Sequence, residues 1–242
     1  MERNLLHSLY YLFNLILIGS ILYVFLFERK NTEAKFNLVI AVFTFTLHFF
    51  TWGLITFQFL ELRTRLFDSH FIQWHSYWAS GIVCFLTADF VFYFWHRLSH
   101  QVGFLWKFHS FHHSSKRLTW TSSYRSSAFE ILAWTIIWGT VSCLLNVNPF
   151  YFNLFVGLIG LHGFVAHEMR LALPKILSSF LVLPQQHRIH HEIHGSRYNY
   201  GGILTIWDRV FKTYNQESTK SDLGTDTGQR NAKYQDWYFP RF

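Results

Sequence analysis

Long uncharged apolar runs alternate along this chain with short polar stretches that carry histidine. Residues 8–27 (SLYYLFNLILIGSILYVFLF) hold no charge for twenty positions, which at about 1.5 Å per helical residue just crosses a hydrocarbon core of roughly 30 Å. The run is too long for a cleaved leader, and no small-residue cleavage site precedes Glu28-Arg29-Lys30. Residues 36–60 form a second uncharged run, interrupted by polar positions such as His48, Gly53 and Gln58. A third covers 77–95 and holds a single acid, Asp89; a fourth covers 129–145 and a fifth 150–166. The last two predict a hairpin turning at Asn146-Val147-Asn148-Pro149. Between the second and third runs, 61–75 is polar, with an interfacial aromatic belt at Trp74, Tyr77 and Trp78. Pro174 and Pro184 frame KILSSFLVL, too short to span and read as an interfacial or core helix. The expected architecture is an all-α integral membrane bundle of about 4–5 apolar spans, a single membrane domain over 1–242, with a polar tail over 215–242.

Composition supports a membrane protein. Half of the 242 residues are hydrophobic and only 14% are charged, against about a quarter charged in a soluble domain. The net charge of +7 admits nucleic acid as a partner, but the basic residues flank apolar runs that contain the aromatics, so a membrane surface is expected and nucleic acid is not. Cys84 and Cys143 both lie inside apolar segments, which indicates no disulfide framework.

Between the apolar runs the histidines cluster. His96 and His100 are four apart; His109, His112 and His113 follow; the echo PQQHRIHH places His187, His190 and His191 in the same pattern. His167 ends the fifth run, twenty residues before His187. Residues three and four apart share a helix face, so each triad is expected to converge on one point. Imidazole suits Zn, Fe, Cu and Ni, and nine ligands are about twice what one four-coordinate zinc uses, so two metals are the economical reading. No cysteine lies among them, which removes thiolate zinc ribbons and iron–sulfur clusters. His7, His48, His70 and His75 are isolated, whereas His162 and His194 lie near the clusters. Asp89 is seven residues before His96, on the same helix face, where it could bond a ligand ring or pair with Arg97.

Topology follows from charge. With the clusters cytosolic, Arg3, Arg63 and Arg65 fall outside and 18 of the 21 Lys and Arg inside, as the positive-inside rule requires. The expected protein is multi-pass, in a bacterial inner membrane or the endoplasmic reticulum.

The runs DFVFYFWHRLSH (89–100) and LWKFHSFHHSS (105–115), then PQQHRIHH (184–191) and NYGG leading to WDRVFKTY (207–214), resemble the signature of the fatty acid hydroxylase and sterol desaturase superfamily, in its order, over about 78–214. The resemblance implies a membrane-embedded di-iron oxygenase acting on lipid C–H bonds, with a cytosolic helical cap carrying His96, His100, His109, His112, His113, His167, His187, His190 and His191 as ligands. Many members read Arg-x-His-Pro-x-Glu after the second cluster, whereas here Ser127 stands at that His position, between Arg125 and Glu130. The alkylglycerol monooxygenases of this superfamily also lack it and share the His-Arg-x-x-His and Trp-Asp-Arg wording. A second departure is Lys212, where glycine is usual.

Such chemistry requires two electrons from outside, hence a redox donor protein, for which Lys107, Lys116, Arg117 and Arg188 offer an acidic partner a docking surface or else meet lipid headgroups. A zinc-dependent membrane hydrolase is disfavoured because no His-Glu-x-x-His occurs. A metal transporter or sensor would need ionisable residues strung through the spans, and only Asp89, Glu130 and a few His come close.

Overall fold

A computed structural model describes residues 18–19, 22–26, 30–66, 72, 74–147, 149–225 and 233–237. The first apolar run and His7 and His70 lie largely or wholly outside these residues. The architecture is all-helical, and among the described residues β-structure is limited to the isolated bridges Leu181–Leu204 and Glu192–Leu223. In chain order the helices are α1 (Thr32–Leu66), α2 (Tyr77–Gln101), α3 (Gly103–His113), α4 (Ala128–Leu144), α5 (Pro149–His167), α6 (Pro184–His191) and α7 (Ile206–Val210). Short 3₁₀ turns occupy Trp120–Tyr124, Lys175–Ser179 and Tyr234–Trp237.

Within α2, Trp78–Gln101 is long and apolar enough to cross a membrane; Ala128–Leu144 and Gly157–His167 are shorter apolar helices. Cys84 and Ala88 of α2 pack with Trp138 and Val141 of α4 and with Val147 beyond it, and Ile159 of α5 closes the cluster. One end of this bundle is tied by the Trp74 indole N–H donating to the Leu145 carbonyl at 2.6 Å and the Asn146 amide donating to the Ile72 carbonyl at 2.6 Å. At the opposite end α2 breaks at Val102 and α3 turns back, so His96 and His100 face His109 and His113.

The start of α1 reaches that same end. Arg125, buried between α1 and α3, donates to Asn37 at 2.6 Å, Ser114 at 2.9 Å and Glu33 at 2.9 Å. Its guanidinium also lies over the Phe36 ring. Ser127 caps α4 through a capping box with Glu130, a Ser-x-x-Glu signal legible in the sequence.

Carboxylates rather than a sheet shape the chain after α6. Asp208, buried, accepts from the backbone N–H groups of Tyr200 and Gly201 at 2.8 and 2.7 Å and from the Thr213 hydroxyl at 2.7 Å. Asp89 accepts from the N–H groups of Ile203 and Leu204 and from the Trp207 indole, so it holds backbone and neither a ligand ring nor Arg97. Glycine at 201 is required by space, since a Cβ there would sit 2.7 Å from the Leu204 carbonyl oxygen and 2.8 Å from the Asp208 carboxylate. Over 218–225 the polar tail is attached: the buried Glu192 accepts from Ser218 and from the N–H and hydroxyl of Thr219.

Lys212 follows α7 with φ +59°. Its N–H donates to the Arg209 carbonyl and the next N–H, of Thr213, to the Asp208 carbonyl, which is the Schellman ending that favours glycine at this position. A side chain in the left-handed region costs about 1–2 kcal/mol, partly offset by the freedom glycine adds to the unfolded chain. Lys212→Gly is therefore expected to stabilise by roughly 0.5–1 kcal/mol, raising the melting midpoint by about 1–4 °C in detergent calorimetry; a lowered midpoint would contradict this account of the turn.

Candidate metal centre

All nine clustered histidines meet, in two groups: His96, His100, His109, His113 and His190 form one, and His112, His167, His187 and His191 the other. Within each group the candidate ligand atoms lie within 4.8 Å of one another. The groups adjoin, with the rings of His113 and His191 stacked at 4.2 Å between centroids and those of His109 and His112 at 5.5 Å.

Neither triad converges on one point as expected. Adjacent helical residues are about 100° apart, so each His-His pair straddles the boundary. In α3, His109 and His113, four apart, serve the first group while His112 turns to the second. In α6, His187 and His191, four apart, serve the second group while His190 turns to the first. The repeated pattern thus supplies both groups from each helix, in opposite senses. His162 is outside both groups, hydrogen-bonded to the Val182 backbone, and His194 is exposed.

In five of the nine rings the nitrogen remote from the centre is anchored. His96 Nδ1 donates to the Tyr200 carbonyl at 2.8 Å, His190 Nδ1 to Tyr198 at 2.8 Å, His112 Nδ1 to Arg125 at 3.0 Å and His167 Nδ1 to Gly163 at 2.7 Å. A carbonyl oxygen only accepts, so each of these rings carries its proton on Nδ1 and presents a bare lone pair at Nε2. The Nε2 atoms of His112 and His167 nevertheless face each other at 3.3 Å. Two lone pairs at that range repel unless a cation lies between them. The neighbouring separations, His96 to His109 at 3.1 Å, His167 to His187 at 3.0 Å and His187 to His191 at 3.1 Å, form a matching set. Nitrogens bound at right angles about 2.1 Å from one ion lie about 3.0 Å apart. The donor set therefore fits a metal in each group.

His109 has the one carboxylate anchor among these rings in the described residues: its Nδ1 donates to Glu130 Oε1 at 2.6 Å. The other oxygen, Oε2, accepts from the Ser127 N–H and hydroxyl at 3.3 Å. The position where many relatives carry histidine is thus a helix cap that fixes the carboxylate behind a candidate ligand. Burial holds the His109 and His112 imidazoles down at about 3, aided for His112 by neighbouring His109. Burial likewise lowers His113, His187, His190 and His191 well below the ordinary value. The rings are consequently neutral at pH 7, the form that binds metal.

Residues 81–213, more than half of the chain, match the family of fatty acid hydroxylases. The chain belongs to the fatty acid hydroxylase family. This hydroxylase-family chain is 30% identical over 183 residues to the alkylglycerol monooxygenase of Homo sapiens, covering 74% of this chain and 39% of that protein. It is 32% identical over 152 residues to the Xenopus tropicalis alkylglycerol monooxygenase, covering 62% of this chain and 33% of that one. With the ornithine lipid hydroxylase of Rhizobium tropici it shares 30% identity over 171 residues, 67% of this chain and 49% of that one. The chain thus spans between about a third and a half of the length of these curated relatives. No solved structure matches it.

Sequence reasoning missed Glu130, Tyr198, Tyr200, Gly163 and the Arg125 carbonyl as anchors of the rings. The Ser127–Glu130 spacing was a legible cap signal, whereas backbone carbonyls leave no signature in side-chain identity. Partners behind a ligating histidine are worth about 10–100-fold in metal affinity. Glu130→Ala is expected to speed metal loss about 10–100-fold in a chelator competition, with Glu130→Gln intermediate because its amide oxygen still accepts, and Ser127→Ala nearly unchanged. Equal losses in Ser127→Ala and Glu130→Ala would reduce Glu130 to a helix cap.

Acid acts through the same rings. Unfolded histidine takes up its proton near 6.5, whereas His109 and His112 resist until about 3, so the unfolded chain binds more protons across that window and stability falls with pH. The metal-free chain is expected to melt at progressively lower temperature from pH 6.5 downward, and a flat profile between pH 7 and 5 would contradict it.

Proposed function

We propose that the chain is the catalytic region of a membrane-bound, O2-dependent lipid oxidoreductase that uses two irons held by the nine histidines. The observation that supports this reading most directly is the facing of Nε2 lone pairs within two adjoining all-histidine groups. In this reading His96, His100, His109, His113 and His190 hold one iron and His112, His167, His187 and His191 the other.

An iron pair, when bound, supplies reduction of O2 coupled to oxidation of a C–H bond. One oxygen atom enters the lipid and the other leaves as water, with two electrons and two protons delivered from outside. The protein's own contribution is orientation and exclusion of water. Nδ1 hydrogen bonds fix the planes of five rings, carried on α2, α3, α5 and α6, before any metal arrives. Beside His96, which meets Phe92 at 5.4 Å, Phe92 stacks on Trp134 at 4.5 Å and Phe108 on Phe129 at 4.3 Å, an apolar wall suited to an acyl chain. The names of the relatives, alkylglycerol monooxygenase and ornithine lipid hydroxylase, support an amphiphilic lipid as substrate. A redox donor protein would supply the electrons, and the exposed Lys116 and Arg117 with the partly exposed Arg188 suit an acidic one.

The helices α2, α4 and α5 would cross the bilayer with the histidine groups at the cytosolic end, in a bacterial inner membrane or the endoplasmic reticulum. The expected result on anaerobic reconstitution of the purified chain is two irons per chain that are oxidised by O2, with His112→Ala losing one of the two while still inserting in the membrane. Zinc retention alone, with no reaction with O2, would favour a hydrolase and overturn the proposal; loosely held mixed metals would favour transport.

A further inference from the structure

Between the ligand-bearing ends of α5 and α6 the chain makes an excursion with its apolar side chains turned out. Ile176 is 71% exposed and Phe180 67%, and beside them on α7 Ile206 is 49% and Val210 59% exposed. The two segments form one surface: the Thr205 N–H donates to the Phe180 carbonyl at 3.0 Å and Leu181 bridges Leu204.

The backbone beneath this surface is irregular, and several of its carbonyls are taken up by donors from within the protein. The carbonyl of Pro174 accepts from the Leu177 N–H, that of Lys175 from the Ser178 hydroxyl, and that of Leu177 from the N–H groups of Phe180 and Leu181. The Ser178 carbonyl takes three donors, Thr205 Oγ1, Arg209 Nη2 and Tyr214 Oη, at 3.1–3.3 Å. Loop carbonyls in water need no such provision, whereas non-helical backbone at membrane depth requires it.

Position points the same way. Trp207 packs edge-on against Phe90 of α2 at 4.9 Å, and Phe211 lies against Tyr93 and Phe94. Phe90 is six residues, or about 9 Å, along α2 from His96 toward the membrane interior. The exposed apolar stripe of α2, Ile82, Leu86 and Phe90 at four-residue spacing, runs directly up to this surface. Exposed Lys175, Arg209 and Lys212 border it, placed to reach anionic headgroups while their stems lie along apolar surface. Arg209 is additionally laid over the Tyr214 ring at 3.9 Å.

We propose that Ile176, Phe180, Ile206 and Val210 form a re-entrant wedge immersed in the acyl region of the bilayer beside α2, which seats the histidine groups at the hydrocarbon boundary. The occupant of this surface is lipid, not water and not a second copy of the chain. The inference rests on α2 crossing the bilayer, and the test reports that step separately.

Single cysteines at Ile176, Val210 and, as a second wedge position, Phe180, with Leu86→Cys and Lys220→Cys as lipid and water references, are spin-labelled in the metal-free full chain in phosphatidylcholine and phosphatidylglycerol nanodiscs. Cys84 and Cys143 are buried, and the labelled wild type gives the background. The ratio of accessibility to O2 over accessibility to a water-soluble nickel chelate is expected to be several-fold higher at all three wedge positions than at Lys220→Cys, approaching that at Leu86→Cys. Wedge ratios equal to that of Lys220→Cys, with Leu86→Cys in lipid, overturn the wedge alone. A water-accessible Leu86→Cys overturns the membrane reading of α2 itself. Dipolar broadening at Val210→Cys that disappears on dilution with unlabelled chain assigns the surface to a second copy and also overturns the proposal.

Discussion

The constraint on which the structure depends is the repulsion between imidazole lone pairs brought nose to nose. His112 and His167 have their Nδ1 protons committed to the carbonyls of Arg125 and Gly163, so their Nε2 lone pairs face each other at 3.3 Å, a contact that a shared cation would relieve. Burial removes the alternative of relieving the contact by protonation, because it holds these rings neutral. The arrangement has the donor set of a site that could hold a metal, an argument independent of any resemblance to other proteins.

Around that core the side chains divide their work by charge. The candidate metal groups contain histidine alone, while the buried acids Asp89, Asp208, Glu192 and Glu130 serve as acceptors for backbone N–H groups, hydroxyls, an indole and one ring. Histidine ligands are neutral, and among the described residues the one side-chain carboxyl behind a ring is that of Glu130, hydrogen-bonded to His109 of the first group. The two groups consequently differ in ligand number and in what stands behind the rings. Asp208 fixes the Tyr200 backbone whose carbonyl aims His96, and Asp89, well down α2, holds Ile203 and Leu204 of the same loop.

The helical frame supplies distance and depth. α2 is apolar along most of its length and carries His96 and His100 at the end where α3 folds back, which places hydrophilic chemistry against an apolar body. Arg125 joins this end to the start of α1 through Asn37 and Glu33. In the excursion between α5 and α6 several carbonyls take donors from the same segment or from Thr205, Arg209 and Tyr214, while its apolar side chains face outward.

The all-helical class, the apolar α2 and the nine histidines were legible in the chain because periodicity and residue type are local properties. Four-residue spacing also foretold which rings share a face, as with His96 and His100. Local spacing led astray at the two His-His pairs, since a helix places adjacent residues about 100° apart and only the position of the neighbouring helices decides which ring turns which way. The strain at Lys212 was visible as a departure from a familiar pattern, but its meaning needed the φ of +59°. The anchors behind the rings were invisible because most are main-chain carbonyls, identical in every residue type and distinguished solely by where folding puts them. The sequence by itself determined what could bind a metal and where helices would run; tertiary structure decided how nine rings divide between two groups, because that division depends on the relative rotation of helices distant in the chain.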